Sequence, residues 1–594
     1  MSTSAAADRN PKLWLLLASW AVTAGIFVVR SITGSANTPL ILDTDDAMRL
    51  TVVHDFLNGQ GWYDPVQHRL NVPYGAEIHW SRLIDLPLAG LLWVLRLFPV
   101  NADVALAYVW PLFLLLILLW VCGRLAIRLG GPDTALPAML LPAFSIITMA
   151  EFAPGRLDHH SVQIILGFVL VISVIEALER PRVAMVAGCA AALSVAIAIE
   201  GLPMVAAAAV AFGLAWVGAR RHAVALRDFG LSFALASLLA LAVSLPPERW
   251  FLPLYDQISI VYVGAALCCG AAFLALSVLP LERWMARLAC GVVAGGLVAG
   301  IVLYAWRGLL TGPYGALDPW LQSNWIDRIS EAQPWWVSLM GDPTYPIGVL
   351  VPVVTAAGVI GWQALRRQGA ERGVWLLYGL FLGVALAVML LQIRAARMAT
   401  PLAIPACAVL IVSARALYVA RPRPLPTVGL LGSWFISASI VVTLAAGLIV
   451  MAFPAYDEAT TDNFRVSRQQ CLQPKAFTEL AALPPARLMT PIDLGSHVLL
   501  YTPHAVVSAP YHRNAQGVLD TFRFFNQPID DARGILDARD ITLLAICPSM
   551  AEVRGMVDYT PDSFVALYAQ GKLPPWLQRV PLEDSPIELY RVSR

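Results

Sequence analysis

The sequence predicts a mainly α-helical, polytopic membrane protein with a C-terminal α/β domain outside the bilayer. Three observations carry this. Hydrophobic residues make up 58% of the 594 and charged residues only 14%, where a soluble domain has about a quarter charged. Apolar runs long enough to cross ~30 Å of hydrocarbon recur through the first three-quarters of the chain. Residues 454–594 instead show short alternating apolar runs, such as "HVLLYTPHAVVSAP" and "ITLLAICP", between Pro- and Gly-containing turns, a pattern of short strands and helices. The domains expected are therefore 1–453 in the membrane and 454–594 outside it.

Thirteen spans are expected, at approximately 13–30, 104–127, 135–151, 161–178, 183–199, 203–219, 229–245, 258–280, 287–306, 346–364, 373–392, 397–419 and 428–453. The segment Leu86 to Phe98 is short and carries Arg96, so it reads as an interfacial helix. Leu13 to Val29 is long enough to span and lacks a convincing small-residue cleavage motif, so it reads as a span and not a removed signal. Arginines concentrate on alternate connections: Arg124/Arg128, Arg180/Arg182, Arg220/Arg221/Arg227, Arg283/Arg287, Arg366/Arg367/Arg372 and Arg421/Arg423. Basic loops stay cytoplasmic. The N-terminus is then inside, and the loop 31–85, the loop holding Asp158, the loop 307–345 and the tail 454–594 share one external face.

That face is where the chemistry gathers. The first loop opens "LILDTDDAMRL", with Asp43, Asp45 and Asp46 within four residues; three carboxylates so close repel unless a cation balances them, or else they cap a helix. The second reads "EFAPGRLDHHSVQIILGFVL". Asp158 and His160 can present a carboxylate oxygen and an imidazole to one ion, a set suited to Mn²⁺ or Mg²⁺; the alternative is an N-cap Asp followed by interfacial His. The third, "DPWLQSNWIDRISEAQPWWVSL", sets Glu331 among Trp320, Trp325, Trp335 and Trp336, as a lid or clamp would or as interfacial anchors do. The net charge of +1 favours no polyanion, and no nucleic-acid partner is expected. Neither CxxC nor zinc-finger spacing occurs, and no internal repeat stands out, as many transporters would show.

Over nearly its full length the chain resembles the catalytic subunits of oligosaccharyltransferases, of the GT-C glycosyltransferase class. In "DTDDAMR" the family's Asp/Arg spacing joins Asp43 to Arg49, with Asp45 and Asp46 as competitors for the metal-binding carboxylate; "NVPYGAEIHWSRLIDLP" looks like the family's Tyr/Pro/Gly stretch. "RLDHHSV" matches the archaeal Asp-x-His form, implying Asp158 and His160 as ligands beside Asp43. "RISEAQP" puts Glu331 at the family's loop glutamate. "QIRAARMATPLAIP" offers Arg394 and Arg397 for the donor phosphate, Arg397 being favoured; an arginine snorkelling to the interface is the alternative. One departure stands out: the family's Trp-Trp-Asp-Tyr-Gly, which reads a protein acceptor, is reduced here to Asp493 and Gly495 in "MTPIDLGSHVLLY".

The resemblance implies a metal-dependent, inverting transfer from a polyprenyl-linked sugar donor, with Asp43 or Asp46 and Glu331 orienting the nucleophile, and Glu331 and Asp493 toward the acceptor. The acceptor itself, whether protein, lipid or glycan, is left open. A bacterial inner membrane with a periplasmic site is expected. Cys471 and Cys547 then lie in an oxidising compartment, and a disulfide between them is expected. The remaining six cysteines sit in or beside apolar runs as small hydrophobes.

Overall fold

The computed structural model describes residues 10–35, 38–452, 467–555 and 558–593. Ten of the expected spans are single helices long and apolar enough to cross a membrane, from Leu13–Gly34 to Ile393–Ala420. The other three take different forms. Residues 135–151 break into Ala135–Leu140, a 3₁₀ turn Leu141–Phe144 and Ile146–Glu151. Pro142 stands inside the 3₁₀ turn, where it removes a backbone donor and crowds the preceding turn. The stretch 183–199 is covered by the shorter apolar helix Pro181–Ile197, and 428–453 by Pro424–Ser437 and Ser439–Met451, bent by 91° between them. Among the described residues ten helices, or eleven with the bent pair counted as one span, are long and apolar enough to cross, short of the thirteen expected.

The expected interfacial segment is the helix Arg82–Leu95, capped by the Ser81 hydroxyl, which accepts from the Leu83 amide. Ahead of it, the first long loop carries a second helix, Thr44–Leu57, capped by Asp43, and a two-stranded ladder of β1 (Val66–Gln67) and β2 (Ala76–Glu77).

The C-terminal domain holds five more strands: β3 (Arg487–Met489), β4 (Ala505–Val506), β5 (Leu543–Ile546), β6 (Leu577–Val580) and β7 (Glu588–Val592). Their order is β4-β3-β5-β7-β6, parallel on the β4 side and antiparallel on the β6 side. The sulfurs of Cys471 and Cys547 are joined in a disulfide in this domain.

The first loop fastens this domain to the bundle. Leu70 bridges Val506 as an added edge to β4, and the Val506 amide donates to the Arg69 carbonyl at 2.8 Å. The Arg69 guanidinium donates to the carbonyls of Leu499, Thr502 and His504. Met48 and Val52, one helical turn apart, enter one buried cluster with Leu494 and Val498 of the helix Ile492–Tyr501, the i, i+4 spacing that puts side chains on one face. A second clasp joins Arg513 to Asp256 at 2.7 Å and to Glu77 at 2.8 Å. The domain is thus held over the end of the bundle where the acidic loops meet.

Candidate active site

Asp43, itself in an extended conformation, immediately precedes the helix Thr44–Leu57. Its Oδ1 accepts from the Asp45 amide at 2.9 Å and so caps the helix Thr44–Leu57. One turn in, Asp46 is buried, and its Oδ1 accepts from the amides of Leu157 and Asp158 at 2.7 and 2.9 Å. The first loop thereby grips the backbone of the second. Gly155 makes the close approach possible: its φ is +99°, and a Cβ there would collide with the Leu40 carbonyl, so only glycine serves.

A chain of ion pairs then runs across the site. Arg156 Nη1 lies 2.9 Å from Asp43 and 2.8 Å from Asp46, and its Nη2 3.2 Å from Glu151. Glu151 lies 2.9 Å from Arg397 Nε, and Arg397 Nη2 is 2.7 Å from Glu331. Arg397 Nη1 also stands 3.0 Å from His160 Nε2. His160 Nδ1 is 2.8 Å from Glu200. Below this row Arg49, wholly buried, bridges Asp85 at 2.8 Å and Asp158 at 3.1 Å and stacks on Trp80 with its guanidinium carbon 4.2 Å from the ring centroid.

The structure thus gathers Asp43, Asp46, Asp158, His160, Glu331 and Arg397 from four separate segments. Arg394 stands apart, donating to Gln392 at 3.1 Å. Asp493 pairs with Arg468 at 2.7 Å and is pushed up by burial, against Arg468 and with the Asp43 charge. Sequence reading gave no role to Arg156, Glu151 and Glu200. Glu151 ends the helix Ile146–Glu151, Glu200 lies in the 3₁₀ turn Ile199–Gly201, and Arg156 lies in the loop before the helix His160–Ala177; an ionisable group beside apolar runs is costly and marks a site by default.

The electrostatics sort the carboxylates. Burial raises Asp43, but Arg156 outweighs it and holds the group below its ordinary value. Burial and the Asp43 charge push Asp45 well above the carboxylate range. Asp46 is pushed up to about 7, by burial first, with Arg156 opposing and Asp43 and Asp158 adding to it. Asp158 is held well below its ordinary value because His159 and His160 overcome its burial.

The residues present fit a metal ion in part. Asp158 Oδ2 is buried and accepts no hydrogen bond among the described residues; it faces His160 Nε2 at 3.2 Å. Glu200 engages the far nitrogen of His160, the arrangement that orients a metal-binding imidazole. Asp158, His159 and His160 can each offer a ligand atom, all within 4.8 Å of one another. Asp43 is outside that group, held instead by Arg156.

No protein-family model matches the sequence, and no curated protein matches it. Solved structures do. The archaeal oligosaccharyltransferase AglB from Archaeoglobus fulgidus, in complex with an inhibitory peptide and a dolichol-phosphate, superposes with a TM-score of 0.63 at 14% identity, over 96% of this chain and 72% of that one. The chain shares the oligosaccharyltransferase fold. The Archaeoglobus fulgidus oligosaccharyltransferase in complex with Zn and sulfate matches with a TM-score of 0.59 at 13% identity, over 97% and 73% of the two chains. The mainly helical membrane fold with a small C-terminal sheet is thus shared over 96–97% of this chain.

His497 gives this interface a pH dependence. It is fully buried in the helix Ile492–Tyr501, with Nε2 3.3 Å from the Ile41 carbonyl, and burial pushes it from 6.5 down to about 4. The unfolded chain takes the proton first as pH falls, so this contribution is complete above pH 6.5 and is lost between 6.5 and about 4. The slope is at most ~1.4 kcal/mol per pH unit. Melting curves of the protein and of His497→Gln should run parallel above pH 6.5 and converge below it; parallel curves throughout would refute the assignment.

Proposed function

We propose that the chain is a metal-dependent, inverting glycosyltransferase. It moves a sugar or oligosaccharide from a polyprenyl-(pyro)phosphate donor to an acceptor at the periplasmic face of a bacterial inner membrane. The observation that carries this reading is the single ion-paired row joining Asp43, Asp158–His160, Glu331 and Arg397 on an oligosaccharyltransferase fold. The archaeal neighbour's complex with dolichol-phosphate supports a lipid-linked phosphate as the leaving group. The loss of the Trp-Trp-Asp-Tyr-Gly motif favours, as a second reading, a transferase that uses a polyprenyl-phosphate monosaccharide to modify a lipid, polysaccharide or protein.

The roles follow from exposure and pairing. Arg397 has two carboxylate partners, one deeply buried (Glu151) and one half-exposed (Glu331). A donor phosphate displaces the exposed partner at little cost, gains a directional guanidinium contact, and frees Glu331 to orient the acceptor. Asp43 is 40% exposed and Asp46 only 1%. Asp43 therefore meets the acceptor, whereas Asp46 holds the second loop in register. A divalent ion, Mn²⁺ or Mg²⁺ or the Zn²⁺ that the neighbour binds, held by Asp158 and His160 would neutralise the leaving phosphate.

The test is donor cleavage in proteoliposomes. Chelator-treated protein given a polyprenyl-phosphate sugar should release polyprenyl phosphate only after Mn²⁺, Mg²⁺ or Zn²⁺ is restored. Full turnover in chelator would remove the metal from the account.

A further inference from the structure

A cavity of about 950 Å³ opens beside this row. Asp43, Asp46 and Arg156 line it, and Arg397, His160, Glu331 and Glu200 do not. It therefore meets the charged row at its Asp43 end, away from the arginine assigned to the donor phosphate. An inverting displacement needs its acceptor on the side opposite the leaving group, and this cavity reaches Asp43, the carboxylate assigned to the acceptor.

The walls tell what kind of acceptor fits. Phe27 and Arg30 come from the first membrane helix, Met149 from the broken third segment, and Ile440 from the bent pair Pro424–Met451; Arg468 and Leu472 of the C-terminal domain close the other side. The cavity is thus built between membrane helices and an external domain, with three arginines, Arg30, Arg156 and Arg468, and two carboxylates, Asp43 and Asp46, in its walls. Arg30 lies one turn from the end of the helix Leu13–Gly34 and is exposed. Its guanidinium has no hydrogen-bond or ion-pair partner among the described residues, while Arg468 is matched by Asp493. An unpaired guanidinium near the end of a membrane helix, at a cavity also walled by Phe27, Met149 and Ile440, complements an anionic headgroup whose tails lie in the bilayer. The Trp and Tyr expected for reading a protein acceptor are missing beside Asp493, the partner of the cavity's Arg468.

Building on the glycosyl-transfer reading, we infer that the acceptor is a membrane lipid with an anionic, hydroxyl-bearing headgroup, seated in this cavity with its anionic group on Arg30. In the reaction the headgroup oxygen bonds to the anomeric carbon as the anomeric carbon–oxygen bond to the donor breaks. The donor phosphate leaves with the electron pair, and the hydroxyl proton passes to the Asp43 carboxylate.

The experiment is native mass spectrometry of the delipidated full chain, titrated separately with phosphatidylglycerol, phosphatidylcholine and undecaprenyl phosphate. The variants are Arg30→Gln and Ala150→Trp, the second filling the cavity from a lining position. The expected result is at least fivefold stronger retention of phosphatidylglycerol than of phosphatidylcholine. Both variants should reduce that preference about fivefold and leave undecaprenyl phosphate retention unchanged. Equal retention of the two phospholipids, or no effect of either variant, overturns the inference. Loss of undecaprenyl phosphate instead would assign the cavity to the donor and overturn it equally. Binding is read without turnover, so a failed transferase assay and a failed lipid titration are distinguishable.

Discussion

Arg397→Ala should lower transfer by about 10²–10³-fold, the loss typical of removing one preorganised contact to a developing anion. The residue is 22% exposed at its side chain and paired with Glu151 and Glu331, so the fold should survive the change. Its substitution nonetheless leaves Glu151 with Arg156 as its remaining cation, and Arg397→Lys separates charge from shape. A lysine restores the charge without the planar fork that spans a phosphate, so Lys should recover only part of the rate. Initial rates of polyprenyl phosphate release, with variants matched for melting temperature, provide the check. A wild-type rate in Arg397→Ala would remove this residue from the donor site.

Arg49→Met should act on stability instead. The guanidinium is buried between Asp85 and Asp158, and breaking a buried pair by removing one partner costs about 3–5 kcal/mol. Here Asp85 keeps Arg82 at 3.2 Å and Asp158 keeps His159 at 2.6 Å, which places the expected loss near the lower end, about 3 kcal/mol. Met retains apolar contact with Trp80, so the loss reports charge and not packing. Adding Asp85→Asn to Arg49→Met should restore part of the melting temperature, because it removes a buried carboxylate left with only Arg82 to balance it. Additive losses in the double variant would contradict the buried pair.

The amphipathic logic of the chain was legible because bilayer length and short loops leave strong marks: ten long apolar helices stand where hydropathy put them. Hydropathy is blind to the break at 135–151, where the residues are as apolar as in a straight helix; the signal was Pro142, a matter of backbone geometry. Asp158, His160, Glu331 and Arg397 came from short motifs and converge in space. Glu151, Arg156 and Glu200 belong to no motif, and only the tertiary fold brings them together. Asp43 and Asp46, three residues apart, differ in what covers them, and a sequence does not show cover. Asp158 is separated from Arg49 by 109 positions, a pairing that no local pattern encodes.

The most direct measurement is release of polyprenyl phosphate from a polyprenyl-phosphate sugar donor by the purified chain in proteoliposomes, run beside Asp158→Asn. The substitution keeps the size of the side chain and its contact with Arg49 while removing the carboxylate. Metal-dependent release by the wild type, falling at least 10²-fold in Asp158→Asn, is the predicted result. Equal release by both, or none by the wild type across several donors in the presence of Mn²⁺, Mg²⁺ and Zn²⁺, would contradict the central claim.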